Sequence, residues 1–122
     1  MKKRANSFKY AFIGIYEGLK SQWNFKFHLL AACLVIALGF YFEVSKMEWC
    51  VSLICCALVI SLELINTAIE LLCDFVEPNK NEKIRIIKDI SAAGVLVSAI
   101  VALVIGVIIF LPYIKALLNN KL

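Results

Sequence analysis

Charge is scarce in this sequence. Only 18% of its 122 residues are charged, while 62% are hydrophobic; average soluble domains hold roughly 25% and 45–50%. Mean hydropathy is +0.87. A small soluble domain buries a small fraction of its surface and could not hide this much apolar area. A self-contained soluble enzyme is excluded, and lipid is the expected solvent for most of the chain. Histidine occurs once and proline twice. The five cysteines (Cys33, Cys50, Cys55, Cys56 and Cys73) contain no C-x-x-C pair, and His28 alone could join them at a zinc site. They read as small polarizable packing residues of membrane helices, not as a secreted disulfide framework.

Other absences narrow the reading further. No internal repeat, low-complexity segment or domain boundary divides residues 1–122, so one unit is expected. No aromatics interleave with a basic groove, which argues against nucleic acid as a partner. There is no G-x-x-x-x-G-K-[ST] loop and no kinase glycine-rich loop. A cleaved leader is not expected, because no apolar stretch directly follows Lys2–Arg4 and no A-x-A-like site follows the first long apolar run.

What is present is an all-α membrane pattern with three spans, at about 27–45, 49–76 and 88–114. Residues 27–42 are apolar apart from His28, and residues 90–114 carry no charge. A core of about 30 Å is crossed by about 20 helical residues. Ten of the thirteen Lys and Arg residues precede Phe27 or lie between Glu77 and Asp89; Lys46, Lys115 and Lys121 are the remainder. The positive-inside rule therefore predicts a cytoplasmic N-terminus. Ahead of the first span, Phe8, Phe12, Ile15, Leu19 and Trp23 recur at helical spacing, predicting an amphipathic surface helix over about 5–24. Gly14-x-x-x-Gly18 within it is a weak dimerisation pattern.

The informative residues lie in the second span. Glu63, Asn66, Glu70 and Asp74 follow one another at steps of three, four and four, which places them within about 80° of one helical face. A carboxylate at the centre of a bilayer costs about 2.5–3.5 kcal/mol on insertion scales, so three acids on one stripe point to function. At 1.5 Å per residue Glu70 lies about 6 Å deeper than Asp74, and Glu63 about 10 Å deeper again. Glu77-Pro78-Asn79-Lys80-Asn81 turns the chain, and Lys80, Lys83, Arg85 and Lys88 follow, with Arg85 and Asp89 spaced for an ion pair. Alone, these cations suit an anionic membrane surface. Beside acids able to hold Mg²⁺, they also suit phosphoryl transfer, which proceeds by positioning and charge neutralisation. The stripe could equally line an ion or proton pathway, and a non-catalytic assembly subunit is a third possibility.

The stretch Glu63-Leu-Ile-Asn66-Thr67-Ala68-Ile69-Glu70-Leu-Leu-Cys-Asp74 resembles the diagnostic motif of the small prokaryotic integral-membrane lipid kinases, diacylglycerol kinase and undecaprenol kinase. The similarity extends to Ser7-Phe-Lys-Tyr10-Ala-Phe-Ile-Gly14, to Asn24-Phe-Lys-Phe-His28 and to Lys88-Asp89. The resemblance implies a homotrimer in the bacterial inner membrane, with sites between protomers. It implies transfer of the γ-phosphoryl of Mg-ATP to the primary hydroxyl of a membrane lipid, and the Asn24–His28 stretch looks more like the undecaprenol branch. Glu63 corresponds to the general base, Glu70 to a Mg²⁺ ligand, and Asn66 and Asp74 to residues shaping the lipid side of the site. Lys3, Tyr10, Asn79, Lys80, Asn81, Lys88 and Asp89 match nucleotide contacts. Two positions depart from the family pattern: Gln22 stands where a second metal-binding glutamate is usual, and Asn81 where relatives carry histidine.

Overall fold

Four helices, in chain order α1 (Lys2–Ser21), α2 (Trp23–Phe42), α3 (Lys46–Val76) and α4 (Glu82–Lys121), make up the computed structural model. It describes residues 2–121; Met1 and Leu122, the ends of the expected 1–122 unit, lie outside the described residues. Helices α2, α3 and α4 are each long and apolar enough to cross a membrane. Helix α3 packs most extensively against α4 and next against α2, while α1 meets both α2 and α3. The outward faces remain bare: Leu103, in the middle of α4, is 70% exposed. Such faces are suited to hydrocarbon, where apolar surface carries no hydration cost.

The ends of each helix have local causes. The break between α1 and α2 falls on Gln22, whose φ of −131° and ψ of 122° are extended. Helix α1 therefore ends at Ser21, and Trp23, placed by its spacing with the apolar stripe of α1, opens α2. The first helix long and apolar enough to cross a membrane is Trp23–Phe42, which overlaps the expected span at about 27–45. It ends where Glu43 takes a left-handed conformation with φ of 51°, and the Val44 N–H donates to the Gly39 carbonyl at 3.2 Å. This is a common way to satisfy the last carbonyls of a helix. Ser45 then opens α3 with a capping box: its hydroxyl accepts from the Glu48 N–H at 3.2 Å, and the Glu48 carboxylate accepts from the Ser45 N–H at 3.0 Å. Helix α4 starts before the expected 88 and runs past 114, taking in Pro112. Proline removes one backbone donor from the helix without ending it here.

Two glycines mark close approach. A Cβ on Gly39 would lie 2.6 Å from the indole of Trp49, so the absence of a side chain lets α2 and α3 meet beside their short turn. A Cβ on Gly18 would lie 2.8 Å from the Leu64 side chain, whereas nothing lies within 4 Å of one on Gly14. Gly18 thus seats α1 on α3 within the chain. At the same end as Trp49, the Tyr113 hydroxyl donates to the Glu48 carboxylate at 2.6 Å, and the Phe42 ring stacks on Tyr113 at 5.5 Å. The interior is small and partly polar: Phe25, Val59 and Val95 are buried together with Ser52, Glu63, Asn66, Thr67 and Ser98.

Candidate active site

The polar stripe of α3 faces its neighbouring helices. Glu63 and Asn66 are 1% and 4% exposed, and they line a cavity of about 360 Å³ together with Glu70. Helix α2 contributes Asn24, Phe27 and His28 to this cavity, and α4 contributes only apolar residues, between Ala92 and Ala99. Thr67, between the acids, returns its hydroxyl to the Glu63 carbonyl at 2.9 Å. Its polar atom is thereby satisfied within its own helix.

Glu70 is held by two amides. Gln22 Nε2 donates to Glu70 Oε2 at 2.9 Å, and Asn66 Nδ2 donates to Glu70 Oε1 at 3.2 Å. Gln22 occupies the N-cap position of α2 but makes no side-chain cap bond; its side chain is engaged by the carboxylate on α3 instead. Two buried acceptors are left without a donor, Glu63 Oε1 and Asn66 Oδ1. Such atoms cost free energy and usually find a partner. The His28 Nε2 lies 3.9 Å from Glu63 Oε2.

No cluster of three or more His, Cys, Asp or Glu side chains suited to a metal occurs among the described residues. The oxygen set around Glu70 nevertheless fits Mg²⁺. That ion commonly takes one or two carboxylates, keeps several waters and shares its remaining positions with substrate phosphates. Here one carboxylate lies between two amides, and the Asn66 oxygen is buried with no donor.

Toward the α3–α4 turn the groups are open to solvent. Lys88 Nζ reaches Asp74 Oδ1 at 2.5 Å, joining α4 to α3. The Arg85–Asp89 pair expected from spacing forms at 2.7 Å, and Arg85 also pairs with Glu82. Asn81 starts α4, its Oδ1 accepting from the Lys83 N–H at 2.9 Å and the Ile84 N–H at 3.3 Å. Asn79 and Lys80 are exposed in the turn, and Lys3 and Tyr10 are exposed on α1. Among the described residues, none of these last four places its side chain in a hydrogen bond of the cavity. The structure thus brings together Gln22, Glu63, Asn66 and Glu70, and separately Asp74 with Lys88. It adds Asn24 and His28, which the sequence reading had not assigned to the site. Their signal was the polar start of an otherwise apolar run, and periodicity within one helix does not reveal which helix it will face.

A three-span helical bundle enclosing a carboxylate and two amides, with cations at the adjoining turn, defines a membrane protein built for polar chemistry at the edge of hydrocarbon. The family model described as prokaryotic diacylglycerol kinase matches residues 9–110, and the chain belongs to that family, as a lipid kinase. It is 40% identical over 106 residues to undecaprenol kinase of Bacillus subtilis, covering 87% of this chain and 86% of the relative. It is 33% identical over 113 residues to diacylglycerol kinase of Synechocystis, covering 92% of this chain and 65% of the relative. With diacylglycerol kinase of Haemophilus influenzae it shares 32% identity over 106 residues, covering 86% and 90% respectively. Membership in an enzyme family replaces the conductor reading of the acidic stripe.

Proposed function

We propose that this chain transfers the γ-phosphoryl of Mg-ATP to the primary hydroxyl of a membrane lipid alcohol, with undecaprenol preferred over diacylglycerol. The observation that carries the proposal is Glu63: a carboxylate 1% exposed, with one oxygen lacking any donor, beside a cavity. A lipid hydroxyl is the donor that such an oxygen lacks. The preference for undecaprenol is supported by the similarity to the Bacillus subtilis kinase.

In this reading Glu63 accepts the hydroxyl proton as the lipid oxygen attacks the γ-phosphorus, and ADP departs with the electron pair of the broken P–O bond. Proton acceptance by a positioned carboxylate contributes about 10²–10⁴-fold. Glu70 and Gln22 would hold Mg²⁺, Gln22 after turning its amide oxygen inward. The ion supplies neutralisation of charge on the phosphates. Asn66 and Asp74 shape the lipid side. Lys88 and Asp89 meet the phosphates, and Asn79, Lys80 and Asn81 meet the nucleotide from the turn. Lys3 and Tyr10 close over it from α1, which lies as an amphipathic helix in the headgroup layer. The N-terminus is cytoplasmic in the bacterial inner membrane, and three copies associate so that neighbouring protomers cover the outward faces of the spans.

The test is transfer of labelled phosphate from ATP by the purified protein in mixed micelles, with undecaprenol and diacylglycerol offered separately. Preferential labelling of undecaprenol is expected. Preferential labelling of diacylglycerol overturns the substrate assignment, and labelling of neither overturns the activity.

A further inference from the structure

Glu63 is far less exposed than the histidine beside it. Its side chain is 2% exposed, while that of His28, 3.9 Å away, is 17% exposed. We propose that His28 is the proton partner of Glu63, taking from that carboxyl the proton acquired from the lipid hydroxyl. The source of the proton rests on the kinase reading above; the pairing of the two side chains rests on their geometry.

The surroundings leave few alternatives. On α3, the next acid along the stripe is Glu70, and both of its oxygens already accept from Gln22 and Asn66. Asp74 and Lys88 are bound to each other farther along. The α4 wall of the cavity brings no ionisable group, and α2 adds Asn24, a neutral amide. The thiols of Cys55 and Cys56 share a separate apolar groove with His28. Gln22, in the break before α2, is also neutral and is engaged by Glu70. His28 is the sole histidine of the chain, and among the described residues it is the one nitrogen base in this cavity.

Its placement suits exchange. The imidazole stands edge-on to Phe27, with ring centroids 5.7 Å apart. A separation of 3.9 Å exceeds hydrogen-bond length, so exchange requires the two side chains to approach by about 1 Å. Asn24 lies four residues earlier on α2, one helical turn nearer the Gln22 break. In balance, the lipid O–H bond breaks as its oxygen bonds to phosphorus, and the proton passes to the Glu63 carboxylate. The carboxyl then gives a proton to His28 Nε2, which becomes imidazolium and releases a proton past Asn24. Glu63 returns to its anionic form for the next turnover. His28 acts through Glu63 as a positioning residue and does not touch phosphorus.

Two measurements test this. The first is a stability cycle, independent of catalysis: thermal unfolding in detergent of the wild type, His28→Gln, Glu63→Gln and the double variant, at acidic and at alkaline pH. Non-additive shifts whose coupling changes with pH are expected, because the pair then shares a proton. Additive shifts, or a coupling that ignores pH, overturn the proposal. The second is the pH profile of kcat. The wild type is expected to lose rate in acid. His28→Gln is expected to shift that acid limb and to lose about tenfold or more of kcat, with KM for the lipid little changed. Added imidazole is expected to restore rate to His28→Ala. An unaltered profile in His28→Gln overturns the proposal. A wild type that phosphorylates neither alcohol refutes the kinase reading, and the stability cycle still decides the pair.

Discussion

The amide of Gln22, in the single-residue break between α1 and α2, donates to the Glu70 carboxylate of α3 at 2.9 Å. This contact spans 48 positions of sequence and ties three helices to one oxygen. Gln22 is a neutral donor that satisfies its neighbour without any ion. With Asn66 on the other oxygen, both Glu70 oxygens already accept a hydrogen bond.

Gln22→Glu is expected to replace attraction by repulsion. Two carboxylates in hydrogen-bonding proximity with no donor between them should lower the melting temperature in chelator, and Mg²⁺ should restore it. The extra charge should raise apparent Mg²⁺ affinity about tenfold, since the number of charged ligands sets cation affinity. Thermal unfolding across a Mg²⁺ titration checks both. An equal response of the wild type and the variant to Mg²⁺ would remove Gln22 from the metal site.

Glu63→Gln keeps the size of the side chain and removes its basicity. Phosphate transfer should fall by about 10²-fold or more, while the elution volume on size exclusion stays the same. Turnover near the wild-type rate would dismiss Glu63 as the base.

Lys88→Ala removes the partner of Asp74 and a cation from the proposed phosphate site. KM for ATP is expected to rise about tenfold, in keeping with loss of a charge-assisted contact, and KM for the lipid to stay within about twofold. Steady-state kinetics with each substrate varied in turn separates the two. A rise confined to the lipid KM would move Lys88 to the other side of the site.

Gly39→Ala and Gly14→Ala form a matched pair. The new methyl at 39 would overlap the Trp49 ring, while that at 14 meets nothing within 4 Å. Overpacking costs about 1–3 kcal/mol, so the first substitution should destabilise by that order. Alanine is the better helix former at an open position, and the second should be neutral or stabilising by up to about 1 kcal/mol. Equilibrium unfolding of both variants in mixed micelles gives the comparison.

Much of this arrangement was legible beforehand for a physical reason. Apolar runs and the spacing of Glu63, Asn66, Glu70 and Asp74 are properties of single helices, and a periodic pattern within one helix needs no tertiary information. The two sides of the Glu70 contact are different. Gln22 looked like a weakened metal ligand, and only its extended backbone shows that the amide replaces a helix cap with a link across to α3. Trp23 fits the α1 periodicity in sequence, and only the extended backbone at Gln22 shows that it belongs to α2. Asn81 is expected at the nucleotide from its place in the turn, and the cap that its side chain places on α4 is visible only in the structure. His28 stood alone at the start of α2 and acquired meaning only when α3 placed Glu63 opposite. Contacts between helices depend on which faces meet, and that is settled by packing at places such as Gly39 and Trp49.

The end of the bundle that holds Trp49 and Tyr113 is fastened several times over: by a short turn, by the methyl-free seat at Gly39, by a ring stack and by the Tyr113–Glu48 hydrogen bond. The opposite end carries the cavity, a longer turn, the Gln22–Glu70 hydrogen bond and, among the described residues, one solvent-facing ion pair between α3 and α4. The molecule is thus built like tongs with a stiff pivot and lightly held jaws. Displacement at the jaws disturbs groups that water can solvate, whereas the same displacement at the pivot would tear apart packed rings. Compliance is concentrated at the end that carries the cavity.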